Sequence, residues 1–465
     1  MKILIPDTTL IASMHNMEFK QGEIEKRGDP VIVPEYPWEE GHTYLYGSVM
    51  KRGAWYRMWY QSYVDRVGFF VNYARSRDGV KWEKPLINPL PSEGSSLYPT
   101  VTKEGERSNP FSKGKSAKGG KTNIVSTYHI PSVIYDGEDR AAPYKLFGYT
   151  DEGYRVAFSK DGIRFREYEK NPVIPLIRYP NPRSKKTWFN DVAPAFKDLQ
   201  RNKFAAYVKT YIIDEQGRTK RSVGFSESDD FIRWSEPETI WAPSDADDRL
   251  AVQKGFKWAD YYGLCGFNYG GIYLGFLWLF LIDSEFERGT HEGKIEVYLA
   301  YSLDGKKWDR ISDAPFIPLA DSGWESGMIT TANAPLIEKD RTLIYYGGAN
   351  ISHGIGHKET PYDLEKHRFS TGVAFLENDR FVSLTSSKGS FQTKPLRSEK
   401  GIIQINADAR KGRISIRPVQ NGKAGPSSKM EGVDSGAFML KSGVKGEIVL
   451  NVEIENANLY ALETL

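Results

Sequence analysis

The sequence predicts an all-β protein, a five-bladed β-propeller followed by a C-terminal β-sandwich. Three observations carry that reading. A Ser-x-Asp-Gly-x-x-aromatic phrase recurs, at Ser76, Asp78, Gly79 and Trp82, at Ser159, Asp161, Gly162 and Phe165, and at Ser302, Asp304, Gly305 and Trp308. A variant at Ser228, Asp230 and Trp234 carries Phe231 in place of the glycine. Return of one phrase at intervals of roughly 70 to 85 residues marks a repeating structural unit. Aromatic residues make up 13% of the chain, and they alternate with polar positions between Gly and Pro breaks, as in strands rather than helices. After about Arg380 the phrase stops and a run of short apolar segments begins.

The elements follow in order. The first sheet runs from about Tyr44 to Trp82, with strands at 44–50, 55–60 and 68–74. Its phrase is read as a hairpin turn: Asp-Gly supplies positive-φ positions, the serine bonds local backbone, and the aromatic packs on the next sheet. The second sheet starts near Thr127, continues through 144–149 and 154–158, and ends at Phe165. The third opens at Phe189, Asn190 and Asp191, passes through 203–210 and 222–226, and closes at Trp234. The fourth opens at Asp260, includes 272–280 and 295–301, and closes at Trp308. The fifth opens near Glu325, includes 343–346 and 371–376, and lacks the phrase, as closing repeats often do.

Sheets of a few strands repeated in this way give a propeller, whose radial closure leaves only short edges. The first strand of each blade lines the channel, so residues at those starts converge from distant points of the chain. The strands at 381–384, 391–396, 402–407, 413–419 and 448–454 make the sandwich, with 458–461 packing against it. The expected division is residues 1–380, a catalytic propeller with its N-terminal segment, and residues 381–465, the sandwich.

Composition narrows the function. The net charge of +3 gives no case for nucleic acid. The single cysteine, Cys265, sits in an apolar run and reads as a buried thiol; no disulfide can form within the chain. The apolar run 275–282 is far short of a membrane span, so no membrane partner is expected. The first apolar residues break at Pro6 and Asp7, too soon for a signal peptide. Localisation therefore stays open between the cytoplasm and a secreted or periplasmic protein with its signal removed. No cofactor is expected. His353 and His357 are spaced for a metal on a helix, but the glycines between them argue for a loop, and no metal is expected. The Gly, Ser and Lys-rich segment 103–121 reads as a solvated loop. A second cationic loop, with Arg178, Arg183, Lys185 and Lys186, leads into Trp188 and Asp191; beside a carboxylate it would suit an anionic substrate.

The phrases, the sheet count and the trailing sandwich together resemble the five-bladed propeller glycosidases, with glycoside hydrolase family 32 and relatives such as family 43 closest in layout. Three local matches sharpen this. The run Tyr56-Arg57-Met58-Trp59-Tyr60-Gln61 is similar to the family's first-blade strand ending in F-Y-Q. Phe189-Asn190-Asp191-Val192 resembles its F-R-D-P, and Asp260-Tyr261-Tyr262-Gly263-Leu264 its E-C-P-G-L. The resemblance implies that Asp191 is a transition-state stabiliser and Asp260 the general acid. The nucleophile does not carry over: its place falls at Tyr44-Leu45-Tyr46-Gly47, without a carboxylate, and the nearest are Glu39 and Glu40 upstream. The family's retaining mechanism is therefore not expected, and inversion is favoured.

Glycoside cleavage usually takes two carboxyl groups, about 5–5.5 Å apart for retention and about 6.5–9.5 Å for inversion. The candidates at blade entrances are Asp191, Asp260, Glu325 and Glu40. His42, His129 and His353 fall at entrances or inner loops and are candidate hydrogen-bond partners for sugar, whereas His15, His291 and His367 read as peripheral. Tyr44, Tyr46, Trp188, Tyr262 and Trp324 offer flat faces for sugar rings; strand aromatics are more often core, which favours Trp188 and Trp324. Asn190, Arg183 and Tyr262 complete the substrate-binding set.

The expected activity is hydrolysis of a glycoside in an oligo- or polysaccharide, acting from a chain end, with acidic glycans among the candidate substrates. Two alternatives stand beside it. One is a polysaccharide lyase in which His42, His129 or a tyrosine takes the proton beside a uronate neutralised by Arg183 or Lys186. The other is a glycan-binding propeller without catalysis.

Overall fold

A computed structural model of the protein describes residues 2–64, 68–89, 120–180, 187–285, 291–354 and 368–465. Among these the structure is all-β, with a single α-helix, Asp245–Gln253.

The first sheet runs from Tyr44–Arg52 outward through Trp55–Val64 and Gly68–Ser76 to Ile124–Ser126. The second runs from His129–Tyr135 through Tyr144–Thr150 and Gly153–Ser159 to Arg166–Glu167. The third is Ala195–Asp198, Lys203–Ile213, Thr219–Ser228 and Glu238–Trp241. Each is an antiparallel meander in chain order. The expected fourth and fifth sheets are hydrogen-bonded into one. Trp258–Tyr269, Ile272–Glu285 and His291–Ser302 join Met328–Thr331, Thr342–Ala349 and Phe369–Leu376 through a single parallel pair, Ile295 with Met328.

Two of the expected openings shift. The third sheet begins at Ala195, because Thr187–Phe189 pairs instead with Arg178–Pro180 and leaves Asn190 and Asp191 in the extended segment between. The strand expected to open at Asp260 begins at Trp258, which sets Asp260 inside a ladder.

The recurring phrase is a loop rather than a two-residue hairpin. Gly79, Gly162 and Gly305 take φ of 77°, 76° and 76°, and Phe231 takes 67° in the third copy; the aspartates are not in that region. Asp78 Oδ1 accepts from the amides of Val80 and Lys81, while Ser76 Oγ accepts from the Gly79 amide. The same bonds recur at Asp161 and Asp304. Carboxylates that accept several amides are held ionised, and all of these aspartates lie below their ordinary pKa.

The glycine carbonyl of each loop also receives an aromatic donor from the sheet before it. Trp59 Nε1 donates to Gly162 O at 2.7 Å, Tyr207 Oη to Gly305 O at 3.0 Å, and Tyr345 Oη to Gly79 O at 2.8 Å. In the third copy the Phe147 ring packs on Trp234 instead, with centroids 4.8 Å apart. Trp278 Nε1 of the fourth set reaches Thr331 Oγ1 of the fifth at 3.1 Å. The first strands touch as well: Val133 N donates to Ser48 Oγ, Ala195 N to Ser132 Oγ, and Asn333 Nδ2 to Ser48 Oγ.

Beyond Arg380 the strands form two further sheets. The first three strands of the chain are laid into them: Lys2–Leu4 pairs with Ala457–Thr464, Ile11–His15 with Gly389–Thr393, and Glu18–Gln21 with Val382–Ser386. Alternating residues such as Ile403, Ile405, Ile414, Ile416, Leu450 and Val452 are buried in one continuous core with Phe381. Cys265 is fully buried, and burial pushes its thiol up.

Candidate active site

The strand Lys203–Ile213 carries Lys209 and Tyr211, and register sets Tyr211 beside Arg221 of Thr219–Ser228. The strand Trp258–Tyr269 brings Asp260 and Tyr262, with a register shift between Tyr261 and Gly263. His291 opens the strand His291–Ser302. Asp191 enters from the extended segment ahead of Ala195, docked where Lys209 N donates to Val192 O at 2.6 Å.

Two carboxylates share this neighbourhood and differ in exposure. Asp191 keeps 34% of its side chain exposed and ion-pairs with the buried Lys209. Asp260 is 0% exposed; Arg221 Nη1 donates to its Oδ2 at 3.0 Å, and His291 Nδ1 stands 3.1 Å from the same oxygen. Arg221 Nη1 is also 2.7 Å from His291 Nδ1. Tyr211 and Lys209 lie in the fields of both aspartates.

The electrostatics follow from these partners. Burial pushes the Asp191 carboxyl up, but Lys209, then His129 and Arg221, carry it below its ordinary pKa. Burial likewise opposes ionisation of Asp260, and His291 and Arg221 override it. The Lys209 ammonium is lowered by burial against the pull of Asp191. Burial brings His129 down to about 4 and His353 down to about 3, so both rings are neutral at pH 7. Isolated buried charges are costly, and such pairs give weak net stability. Charged pairs whose pKa values are displaced by burial and by each other are a mark of a functional site.

Tyrosines fill the position where the sequence lacks a carboxylate. Tyr44 pairs with Gln61, and Tyr46 follows in the irregular stretch before Ser48. Tyr46 Oη donates to Tyr262 Oη at 3.4 Å. The Tyr46 ring lies 6.1 Å from His129, and the Tyr262 ring 5.2 Å from His353. Lys209 Nζ stands 5.6 Å from the centre of the Tyr262 ring.

Of the residues singled out from sequence, Asp191, Asp260, His129, Tyr262 and His353 meet here. Trp188 does too, though not as an open platform. Its ring is 7% exposed and sits among Arg221, His291 and Tyr211. Asn190 lies beside Asp191 in a structural role: its Oδ1 accepts from Ile177 N at 3.0 Å and its carbonyl from Tyr154 Oη. Asp260 Oδ1, Asn190 Nδ2 and Trp188 Nε1 are buried with no hydrogen-bond partner among the described residues. That is an unusual concentration for a folded interior.

Others fall elsewhere. Glu325 pairs with Lys26 at 3.0 Å and interacts with Tyr346. Trp324 stacks on Tyr346 at 5.6 Å, and its Nε1 donates to Gly28 O. Glu40 sits at φ 35° in the turn before the first sheet, where its carbonyl is 3.0 Å from His42 Nδ1. His42 packs against Phe369 and Tyr63 and meets the edge of Tyr44, whose ring lies 5.1 Å from Tyr46. Arg183, Lys185, Lys186, His357 and His367 lie outside the described residues.

His291, read as peripheral, is instead 2% exposed and central to the cluster, because its strand begins beside Asp260. Lys209 and Arg221 are not among the residues that sequence reasoning singles out. A signal for them exists: each is a charge within a strand whose neighbours are nearly all buried, where Lys and Arg are rare unless paired. Among the described residues no group of three or more His, Cys, Asp or Glu side chains is placed to hold a metal. No helix among them is long and apolar enough to cross a membrane.

No protein-family model matches the sequence, and no curated protein matches it significantly. Structural neighbours, all at low identity, include several proteins described as glycoside hydrolases and one N-acetylgalactosamine deacetylase. One is a BT0996 RGII complex, 11% identical, with TM-score 0.49 over 77% of this chain and 92% of that one. Another is a thermostable family-43 glycoside hydrolase, 13% identical, with TM-score 0.41 over 71% and 89%. A third is the α-L-arabinofuranosidase PaAbf62A from Podospora anserina in complex with cellotriose, 10% identical, with TM-score 0.46 over 77% and 98%. Likeness at this level says nothing of which bond, if any, this chain acts on.

Proposed function

We propose that the chain is a glycoside hydrolase, a five-bladed propeller acting on an oligo- or polysaccharide from its end. The Tyr345 to Gly79 bond, with the other aromatic-to-glycine bonds, supports a ring closed between the fifth and first sheets. The second unit begins near residue 381 and includes the strands Lys2–Leu4, Ile11–His15 and Glu18–Gln21.

One observation carries the functional reading: Asp191 is the carboxylate of the buried cluster that remains open, held ionised by Lys209. An ionised, accessible carboxylate in a low-dielectric setting is what general-base or nucleophilic attack on a glycosidic carbon requires. With Tyr46 in the first-blade position, we assign Asp191 the activation of water, which gives inversion. Asp260, enclosed by Arg221 and His291, acts as a positioning residue that fixes the cationic side of the site.

The test is a screen of the purified protein against aryl glycosides and charged plant or algal oligosaccharides, reading new reducing ends and near-ultraviolet absorbance together. Hydrolysis gives reducing ends without a chromophore. The second reading, a lyase, is favoured by the neutral His129 ring beside Asp191, which can accept a proton; it predicts an absorbing unsaturated uronate. A glycan binder gives neither signal.

A further inference from the structure

Hydrolysis by Asp191 leaves a chemical gap. The leaving oxygen needs a proton, and the two carboxyl groups of the cluster are both held below their ordinary pKa. Glu325 is engaged elsewhere with Lys26, and the first-blade position holds Tyr46. The groups that keep a proton through neutral pH and lie in the field of Asp191 include Tyr46, Tyr149, Tyr154, Tyr211 and Tyr262, of which Tyr154 and Tyr211 donate to the carbonyls of Asn190 and Phe189.

The Tyr46 and Tyr262 hydroxyl oxygens lie 3.4 Å apart, so a proton given by Tyr46 to Tyr262 leaves the Tyr262 proton for another acceptor. Tyr262 is 8% exposed. Lys209 Nζ, 5.6 Å from its ring centre, would face the phenolate left behind. Burial and Asp191 push Tyr262 up to about 12, whereas Tyr46 and Arg221 act in the opposite direction.

We propose that Tyr262 is the proton donor to the leaving oxygen, with Tyr46 a positioning residue that stabilises the Tyr262 phenolate. This rests on the hydrolase reading. In the step, a water oxygen forms the new bond to the anomeric carbon and its proton passes to the Asp191 carboxylate. The bond from that carbon to the leaving oxygen breaks, and the oxygen takes the Tyr262 proton. The proton on Asp191 then returns to the phenolate through solvent or Tyr46, which resets both groups. The overall change is addition of one water across one glycosidic bond.

The experiment compares wild type, Tyr262→Phe, Tyr46→Phe and Asp191→Asn on two glycosides of one sugar, taken from those the wild type cleaves. One carries a 2,4-dinitrophenyl leaving group, which departs without protonation; the other carries an alkyl or sugar leaving group, which does not. Tyr262→Phe should lose about 10²–10⁴-fold on the second substrate and under about tenfold on the first. Tyr46→Phe should lose less, with the alkaline limb of its pH–rate profile moved. Asp191→Asn should lose activity on both. Equal losses on the two substrates, or none, in a Tyr262→Phe protein of native melting temperature overturn the proposal while leaving the hydrolase reading intact. A wild type that cleaves no glycoside overturns both.

Discussion

The hydroxyl of Tyr345 donates to the carbonyl of Gly79 at 2.8 Å, joining points 266 residues apart. Tyr345 is 1% exposed, so neither group has water to fall back on. Its counterparts at Trp59 and Tyr207 repeat the bond between sheets adjacent in sequence; this one links the fifth set of strands to the first. The candidate site likewise draws on distant segments: Tyr46 comes from the first sheet, Asp191 precedes the third, and Asp260 and Tyr262 come from Trp258–Tyr269.

Removing that hydroxyl should weaken the fold without emptying the core. Tyr345→Phe removes one of two donors to the Gly79 carbonyl, which keeps Trp82 Nε1 at 3.2 Å, at a cost of about 0.5–1.5 kcal/mol. Denaturant unfolding of the variant against wild type checks this. A change smaller than about 0.3 kcal/mol would mean the bond contributes nothing to closure.

Lys209 should set the acidic limb of activity. It lowers the Asp191 pKa, so in Lys209→Met the Asp191 pKa rises and the limb moves to higher pH. The kcat/KM profile of the two proteins is the check. An acidic limb that stays in place disconnects Lys209 from the reacting carboxylate.

Arg221 and Asp260 form a pair whose rupture should be expensive. Arg221→Met strands a buried carboxylate, with an expected loss of about 3–5 kcal/mol. Because the folded-state pKa of Asp260 is depressed, its stabilisation is present above the unfolded value of about 3.9 and is lost as pH falls through the folded one. Stability of Asp260→Asn should therefore fall less steeply than that of wild type as the solution is acidified below about pH 4. Parallel curves for the two proteins would contradict the ion pair.

Neutral histidines at the site are directly observable. Ring nitrogen NMR should find His129 uncharged at pH 6, with titration near about 4. A midpoint near the ordinary value would show that solvent reaches the ring freely, and would remove the lyase reading's reason for choosing it.

Much of this arrangement is legible in the sequence. Period-two alternation and the recurring Ser-x-Asp-Gly phrase place the strands, since both are local signals. Asp191 and Tyr262 stand out as parts of the Phe189–Val192 and Asp260–Leu264 segments that carry the local matches. What escapes is what depends on distant partners. His291 looks peripheral until its strand is set beside Asp260, and Glu325 looks central until Lys26, from the N-terminal part of the chain, reaches it. The N-terminal strands likewise cannot be assigned to the C-terminal sheets, since pairing of Lys2–Leu4 with Ala457–Thr464 leaves no local trace.

The most direct measurement is the initial rate of reducing-end release from a cleaved glycan by wild type and Asp191→Asn, each with its melting temperature recorded. The account predicts a loss of at least about a hundredfold with the fold retained. An Asp191→Asn protein that works as fast as wild type would contradict it.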